Sequence, residues 1–480
     1  MQLRSKWIVA GIISSLLMYS QTANSTAVHI HGIALDSTVT YLKIIRPSPF
    51  WWSFKTEPVL AEVKRGANNS SFDLSFQLDK PVQLWLISTE ETWPIFCTPG
   101  DDVSFVIQRN PHDKSYLSIK FEGENSAQYN MINELQDLGF RFSYPVFRGD
   151  PLNYRSSVDK WLSEREKVFD AYRNQLQANT AFVDYFNATI AYSRLNLLYI
   201  PLWNQTILLA DLPANYFNQT ENLSFSEESL LDNTEFRGAV VAKYICGYGP
   251  AMWDNFDGRY NMITSMKSSK IKEYLIAFLN GLYAWYESPQ YEDSLRKSMQ
   301  EAQAYVQDPV YREFVVETQK NYLKLKSVFP DSVQNNTFLI SIADNKKITL
   351  KEMLSLFKKQ AIYVNFWEPG CVPCREDINA SADAKVLLTD EKVSYVYISI
   401  DNQNNQEKWR EASEKDGTIV NQFLLVDGTN SPLGKYLRLD YVPRYMLIDE
   451  AHTLRRTNSP RPISSQLPAL TKSIKEMRMK

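Results

Sequence analysis

Cys371-Val-Pro-Cys374 is the segment of this chain best equipped for chemistry. Two cysteines separated by two residues can close a small disulfide, and a thiolate released from it can attack a disulfide elsewhere. The flanking sequence supports such exchange. An apolar run, Ala361–Trp367, reads as a strand. Glu368-Pro369-Gly370 reads as a turn, and Cys371 then falls where a helix should begin. A helix N-terminus offers unpaired N–H groups and a partial positive charge, both of which favour a thiolate. Cys371 is therefore the candidate nucleophile, and Cys374, one helical turn further in, the candidate resolving thiol. Pro373 suits the first helical turn, where its missing N–H costs little.

Other uses of the pair are less well supplied. A structural zinc site needs four Cys or His ligands. The histidines, His29, His31, His112 and His452, lie far from the pair in sequence and do not repeat its spacing. No metal is expected. The remaining cysteines, Cys97 and Cys246, could pair, but they fall in different expected domains and read rather as separate buried thiols.

Three further features carry a family resemblance. Trp367 stands four positions before Cys371, and Asn365 six before it. Far downstream, Tyr441-Val-Pro-Arg-Tyr-Met-Leu-Ile-Asp449 sets Pro443 at the head of an apolar run. In this order, with the CxxC pair, they resemble the thioredoxin superfamily, most closely the exported TlpA/ResA-type thiol–disulfide oxidoreductases. The resemblance implies a C-terminal α/β thioredoxin fold and a cis Val442–Pro443 bond facing the cysteines. It implies a substrate groove built from Trp367, Gly370, Val442, Pro443 and Arg444. The implied partners are protein thiols and disulfides, with a membrane electron donor for a reductase. No cofactor is implied beyond the Cys371–Cys374 disulfide.

The chain departs from the family in places. Gly370 stands where the family has Trp, and Arg444 where it has Thr. If Arg444 leans toward the site its charge stabilises the Cys371 thiolate, while Glu368 acts the other way. Asn365 occupies the position of a buried acid in thioredoxin itself, and an amide cannot take and return a proton. Glu368 and Glu376 are the remaining candidates for proton relay. The related peroxidase signature, Pro-x-x-x-Thr-x-x-Cys, is absent, since Val364 and Glu368 hold its positions.

The rest of the chain must position this site. At 480 residues it exceeds one such unit, so two or three domains are expected. With 44% hydrophobic and 22% charged residues it is a globular chain. A net charge of −3, without a basic stripe, argues against a nucleic-acid partner. Residues 1–25 read as a signal peptide: Arg4 and Lys6, a short apolar run, then Ala23-Asn-Ser25 as a cleavage site. That run is short for a membrane span. Export to the periplasm or cell envelope is expected, with no transmembrane segment in the mature chain.

Residues 27–122 alternate apolar and polar side chains and break at turn signals, which predicts an antiparallel β-sandwich. Residues 123–330 change to helical periods, with amphipathic runs over 156–176, 271–286 and 311–328. Residues 331–480 form the expected thioredoxin-like domain, with a hairpin, the central strand, an active-site helix over 371–388 and a further strand at 393–400. The expectation is a multidomain protein: N-terminal sandwich, α-helical middle region, C-terminal thioredoxin fold. The alternative is an envelope binding or scaffold protein carrying a non-catalytic remnant of that fold.

Overall fold

A computed structural model describes residues 26–50, 58–66, 70–110, 114–141, 144–203, 206–246, 255–285, 287, 291–325, 327–401, 405–439 and 441–478. The expected signal peptide lies outside the described residues. The chain divides into two compact units, one ending at Asp254 and the other containing Asn255–Lys480. The helices of the middle region are shared between them.

The first unit begins with β1 (Ala27–Ala34), β2 (Tyr41–Ile45), β3 (Val59–Lys64), β4 (Ser71–Gln77), β5 (Val82–Ser88), β6 (Thr92–Cys97), β7 (Asp102–Arg109) and β8 (Leu117–Gly123). They form two four-stranded sheets, ordered β4-β1-β7-β8 and β3-β2-β5-β6. Strand β4 shows the cause: Phe72, Leu74 and Phe76 are buried, while Ser71, Asp73, Ser75 and Gln77 are exposed. Inward residues of both sheets, such as Ile30, Phe105, Ile44 and Leu86, meet in one core. Each such side chain contributes roughly 1.5–3 kcal/mol by leaving water.

One expectation is corrected here. The sandwich is not wholly antiparallel, because β1 and β7 pair in parallel. The chain visits the second sheet through β5 and β6 and re-enters the first beside β1, running the same way. Gly32 makes that pairing possible. A Cβ at this position would lie 2.0 Å from the Phe105 carbonyl oxygen.

Among the described residues four α-helices follow in this unit: α1 (Ser126–Arg141), α2 (Pro151–Leu176), α3 (Thr180–Trp203) and α4 (Thr234–Val241). Helix α2 starts where Asp150 accepts a hydrogen bond from the Asn153 N–H and Pro151 fills the first turn.

The second unit opens with α5 (Phe256–Ser265), α6 (Lys270–Trp285), α7 (Glu292–Tyr305) and α8 (Pro309–Tyr322). Ser269 Oγ accepts from the Lys272 N–H at 3.1 Å and caps α6. Helix α6 is buried almost all round, as a core helix should be. Then follow α9 (Asp331–Asn336), β9 (Phe338–Ser341), β10 (Lys347–Thr349), α10 (Leu350–Leu356), β11 (Ala361–Trp367), α11 (Val372–Asn379), α12 (Ala382–Asp390), β12 (Val393–Ser399), α13 (Gln406–Lys415), β13 (Gln422–Leu425), α14 (Pro432–Leu437), β14 (Arg444–Ile448), β15 (Leu454–Arg456) and α15 (Leu467–Arg478).

The sheet order is β10-β9-β13-β12-β11-β14-β15. Strands β13, β12 and β11 run parallel, and β14 runs antiparallel to β11. This is the arrangement a thioredoxin-like region should have. All seven residues of β11 are buried, as a central strand covered on both faces requires. Ile362, Val364 and Phe366 enter one core with α10, and Ala361 and Tyr363 enter the other with α15. Helix α11 is shorter than the 371–388 span expected from the sequence. It ends at Asn379, where the Ser381 hydroxyl donates to the Ile378 carbonyl at 2.6 Å, and α12 starts afresh.

Candidate functional site: a disulfide at a helix start

Strand β11 ends at Trp367, and a short turn closes through the Cys371 N–H donating to the Glu368 carbonyl at 3.1 Å. Cys371 is the N-cap of α11, and its Sγ accepts from the Cys374 N–H at 3.2 Å. The two cysteines form a disulfide. Their exposures differ in the way that decides reactivity: Cys371 is 9% exposed and Cys374 0%. Cys371 is the less buried of the two, and Cys374 is sealed one helical turn further in. In the reduced state the same N–H and the helix end stabilise a Cys371 thiolate.

The structure packs several of the expected residues around the pair. Trp367, Cys371, Cys374, Ile378, Tyr397 and Trp409 form one buried cluster, with Val442 against it. The Val442–Pro443 peptide is cis. Trp367 serves as scaffold. With the Gln422 amide turned so that its oxygen meets donors, that oxygen accepts from the indole N–H groups of Trp367 at 3.1 Å and Trp409 at 3.0 Å. Gly370 is exposed, and a Cβ there would touch nothing within 4 Å.

Arg444 does not lean toward the cysteines. Its side chain is buried, Nε donating to the Thr457 carbonyl at 3.0 Å and Nη1 to the Arg438 carbonyl at 2.6 Å. Its charge is engaged in closing the loop that carries Pro443. Glu368 is half-buried beside the turn, and Glu376 is exposed on α11. Asn365 is fully buried; its Nδ2 donates to the Tyr395 hydroxyl at 3.2 Å, while Oδ1 meets no described donor.

Two ion pairs escaped the sequence reading. Arg375, next to Cys374, grips Asp416 through two hydrogen bonds of 2.7 and 2.6 Å. Asp377 is buried and takes Arg461 at 2.7 and 2.5 Å and the Tyr445 hydroxyl at 2.6 Å. That carboxylate holds the Arg461 guanidinium proton more firmly than usual. Burial, with Asp377 adding to it, pushes the Tyr445 phenol far above its ordinary range. These pairs tie α11 to α13, β14 and the segment before α15. Their partners lie 41 and 84 residues away, so no local pattern announces them. Among the described residues, no group of three or more His, Cys, Asp or Glu could hold a metal ion.

No family model matches the chain, and no curated protein matches it. Solved structures do. The thioredoxin domain of a thiol–disulfide oxidoreductase from Bacteroides vulgatus is 20% identical, over 32% of this chain and 96% of that one, with a TM-score of 0.24. A thiol:disulfide interchange protein from Bacteroides sp. is 18% identical, over 32% of this chain and 89% of that one, TM-score 0.23. A secreted disulfide oxidoreductase of Mycobacterium tuberculosis is 14% identical, over 31% of this chain and 99% of that one, TM-score 0.23. Likenesses at this level name neither a family nor an activity for the whole chain.

Proposed function

We propose that the chain is an exported thiol–disulfide oxidoreductase that reduces disulfides in protein substrates through Cys371 and Cys374. The observation that carries this reading is the asymmetry of the pair, with Cys371 at the start of α11 and 9% exposed, and Cys374 one turn further in and 0% exposed. In the reduced protein, the Cys371 thiolate attacks one sulfur of a substrate disulfide. A mixed disulfide forms, and the other substrate sulfur leaves as a thiolate and takes a proton from solvent. Cys374, deprotonated, then attacks Cys371 Sγ. The second substrate sulfur leaves as a thiolate and is protonated in turn. The substrate gains two electrons and two protons, and the protein is left with the Cys371–Cys374 disulfide. A dithiol reductant, supplied in the envelope by a membrane partner, restores the two thiols.

No described helix is long and apolar enough to cross a membrane. Trapping tests the reading. In Cys374→Ala the mixed disulfide cannot be resolved, so disulfide-linked adducts accumulate on non-reducing gels and vanish when Cys371 is also replaced. A parent protein that neither turns over a model disulfide nor yields adducts as Cys374→Ala is not an oxidoreductase, and the scaffold reading replaces this one.

A further inference from the structure

The loop that carries Pro443 is held from outside the thioredoxin-like fold. Tyr441, two residues before the proline, is 41% exposed. Its ring is nonetheless fixed from two sides. The Trp285 ring, at the last residue of α6, has its centroid 6.1 Å away at 32°, and the Arg444 guanidinium carbon lies 5.7 Å from the Tyr441 centroid. Trp285 is itself only half-buried.

A chain of hydrogen bonds sets the height of this pair. Glu287, two residues past Trp285, is buried with φ +49, a left-handed conformation that a glutamate rarely takes. Its carboxylate accepts from the Thr457 N–H at 2.9 and 3.0 Å and from the Thr457 hydroxyl at 2.5 Å. The Thr457 carbonyl accepts from Arg444 Nε, and Arg444 Nη1 donates to the Arg438 carbonyl. Arg438 and Arg444 bracket the loop. Glu287 is thus linked to the loop through Thr457 and Arg444, and Trp285 lies against the loop's exposed aromatic.

Charge near this pair is committed inward. Arg444 is buried on carbonyls and Glu287 is buried on Thr457, while Trp285 and Tyr441 keep part of their ring surface exposed. Rigid aromatic anchors with little conformational freedom to lose make strong recognition points. On the other side of Cys371, Gly370 offers no wall.

We propose that Trp285 is a substrate-specificity residue: with Tyr441 it forms an aromatic wall on the Pro443 side of the groove, which binds an apolar side chain beside the cystine of an extended polypeptide. The assignment rests on the thiol–disulfide exchange reading. It places recognition on a residue contributed by the helices before the thioredoxin-like fold.

The test uses the full chain and two synthetic cystine-bridged peptides, identical except that Phe or Ser flanks one cysteine. The parent should prefer the Phe peptide through a lower KM. In Trp285→Ala the ratio of kcat/KM for the Phe peptide over the Ser peptide should fall about tenfold, as expected for one lost aromatic contact. The loss should sit in KM, and Trp285→Phe should restore most of it. Equal losses on both peptides, or a fall in kcat alone, overturn the assignment in favour of a structural role for Trp285. An unchanged ratio in a folded Trp285→Ala overturns it outright. A parent inactive on both peptides overturns the exchange reading, and this assignment falls with it.

Discussion

Cys97, in the first unit, and Cys371, in the second, sit in surroundings that act on a thiol in opposite ways. Both end or follow a β-strand, and both sit beside a helix. Cys97 closes β6 inside the sandwich core and is 0% exposed. Burial pushes its thiol far above the ordinary range, against a smaller opposing effect from Tyr129, and the nearby Asp101 reinforces the rise. Asp101 accepts from the Tyr129 hydroxyl at 2.7 Å and the Thr98 N–H at 2.7 Å, so its charge is fixed there. Cys371 has a helix end, an N–H aimed at its sulfur and 9% exposure. Chemistry is therefore decided by what lies within a few ångströms of the sulfur.

The strongest way to break this comparison is to remove the reactive member. Cys371→Ser should lower turnover of a model disulfide by on the order of 10³-fold or more, since its thiolate makes the attacking bond. Cys97→Ser should leave turnover near that of the parent. If both variants lose activity alike, the contrast between the two sulfurs is wrong.

Labelling tests the inert member directly. In the oxidised native chain, Cys371 and Cys374 are paired and Cys97 is a free thiol. Iodoacetamide should modify Cys97 at least about 100-fold more slowly than it does in denaturant, because the thiolate is suppressed and the site closed. Peptide mass spectrometry separates Cys97 from Cys246. Equal rates with and without denaturant would remove the inert half of the comparison.

Much of the reactive half was legible locally. The buried run of β11, the turn at 368–370 and the start of α11 follow from residues close together in the chain. The rest depends on residues brought together by folding. Nothing near Gly32 announces a parallel partner; only the return of β7 explains why it must be glycine. Arg444 reads as a free cation beside the site until Arg438 and Thr457 come round to take it. Asp377 looks like any helix acid until Arg461 arrives. Trp285 belongs to a helix whose pattern says core, and only the packed loop sets it by Tyr441.

Asn365 sharpens the reactive half at smaller cost. It lies on the face of β11 that also carries Trp367, and it bonds to Tyr395, which packs against the cysteine cluster. Asn365→Asp should destabilise the fold by about 1–3 kcal/mol, the cost of a buried acid that keeps one bond and lacks a second. It should also add an ionisation to the pH–rate profile of exchange, raised above the usual carboxylate range by burial. A destabilised variant with the parent's pH profile would separate residue 365 from the chemistry.

The smallest effect tests burial on a base. Lys324 packs under the loop leading to Tyr441, its Nζ donating to the Tyr436 carbonyl at 2.7 Å and to Asn321 Oδ1 at 2.7 Å. Burial, with Arg438 and Arg444 adding repulsion, lowers it from 10.5 to about 8, and Glu317 opposes weakly. The folded chain thus binds fewer protons than the unfolded chain between about pH 8 and the ordinary lysine range. The cost of burying the ammonium is constant below pH 8, where both states are protonated. It is relieved as pH rises through that window. Relative to Lys324→Met, which carries no such group, the parent should gain stability between pH 8 and 10, read as converging or crossing urea midpoints. Parallel curves would show that Lys324 is solvated enough to keep its ordinary affinity for protons, and that burial controls a sulfur in the first unit without controlling this nitrogen in the second.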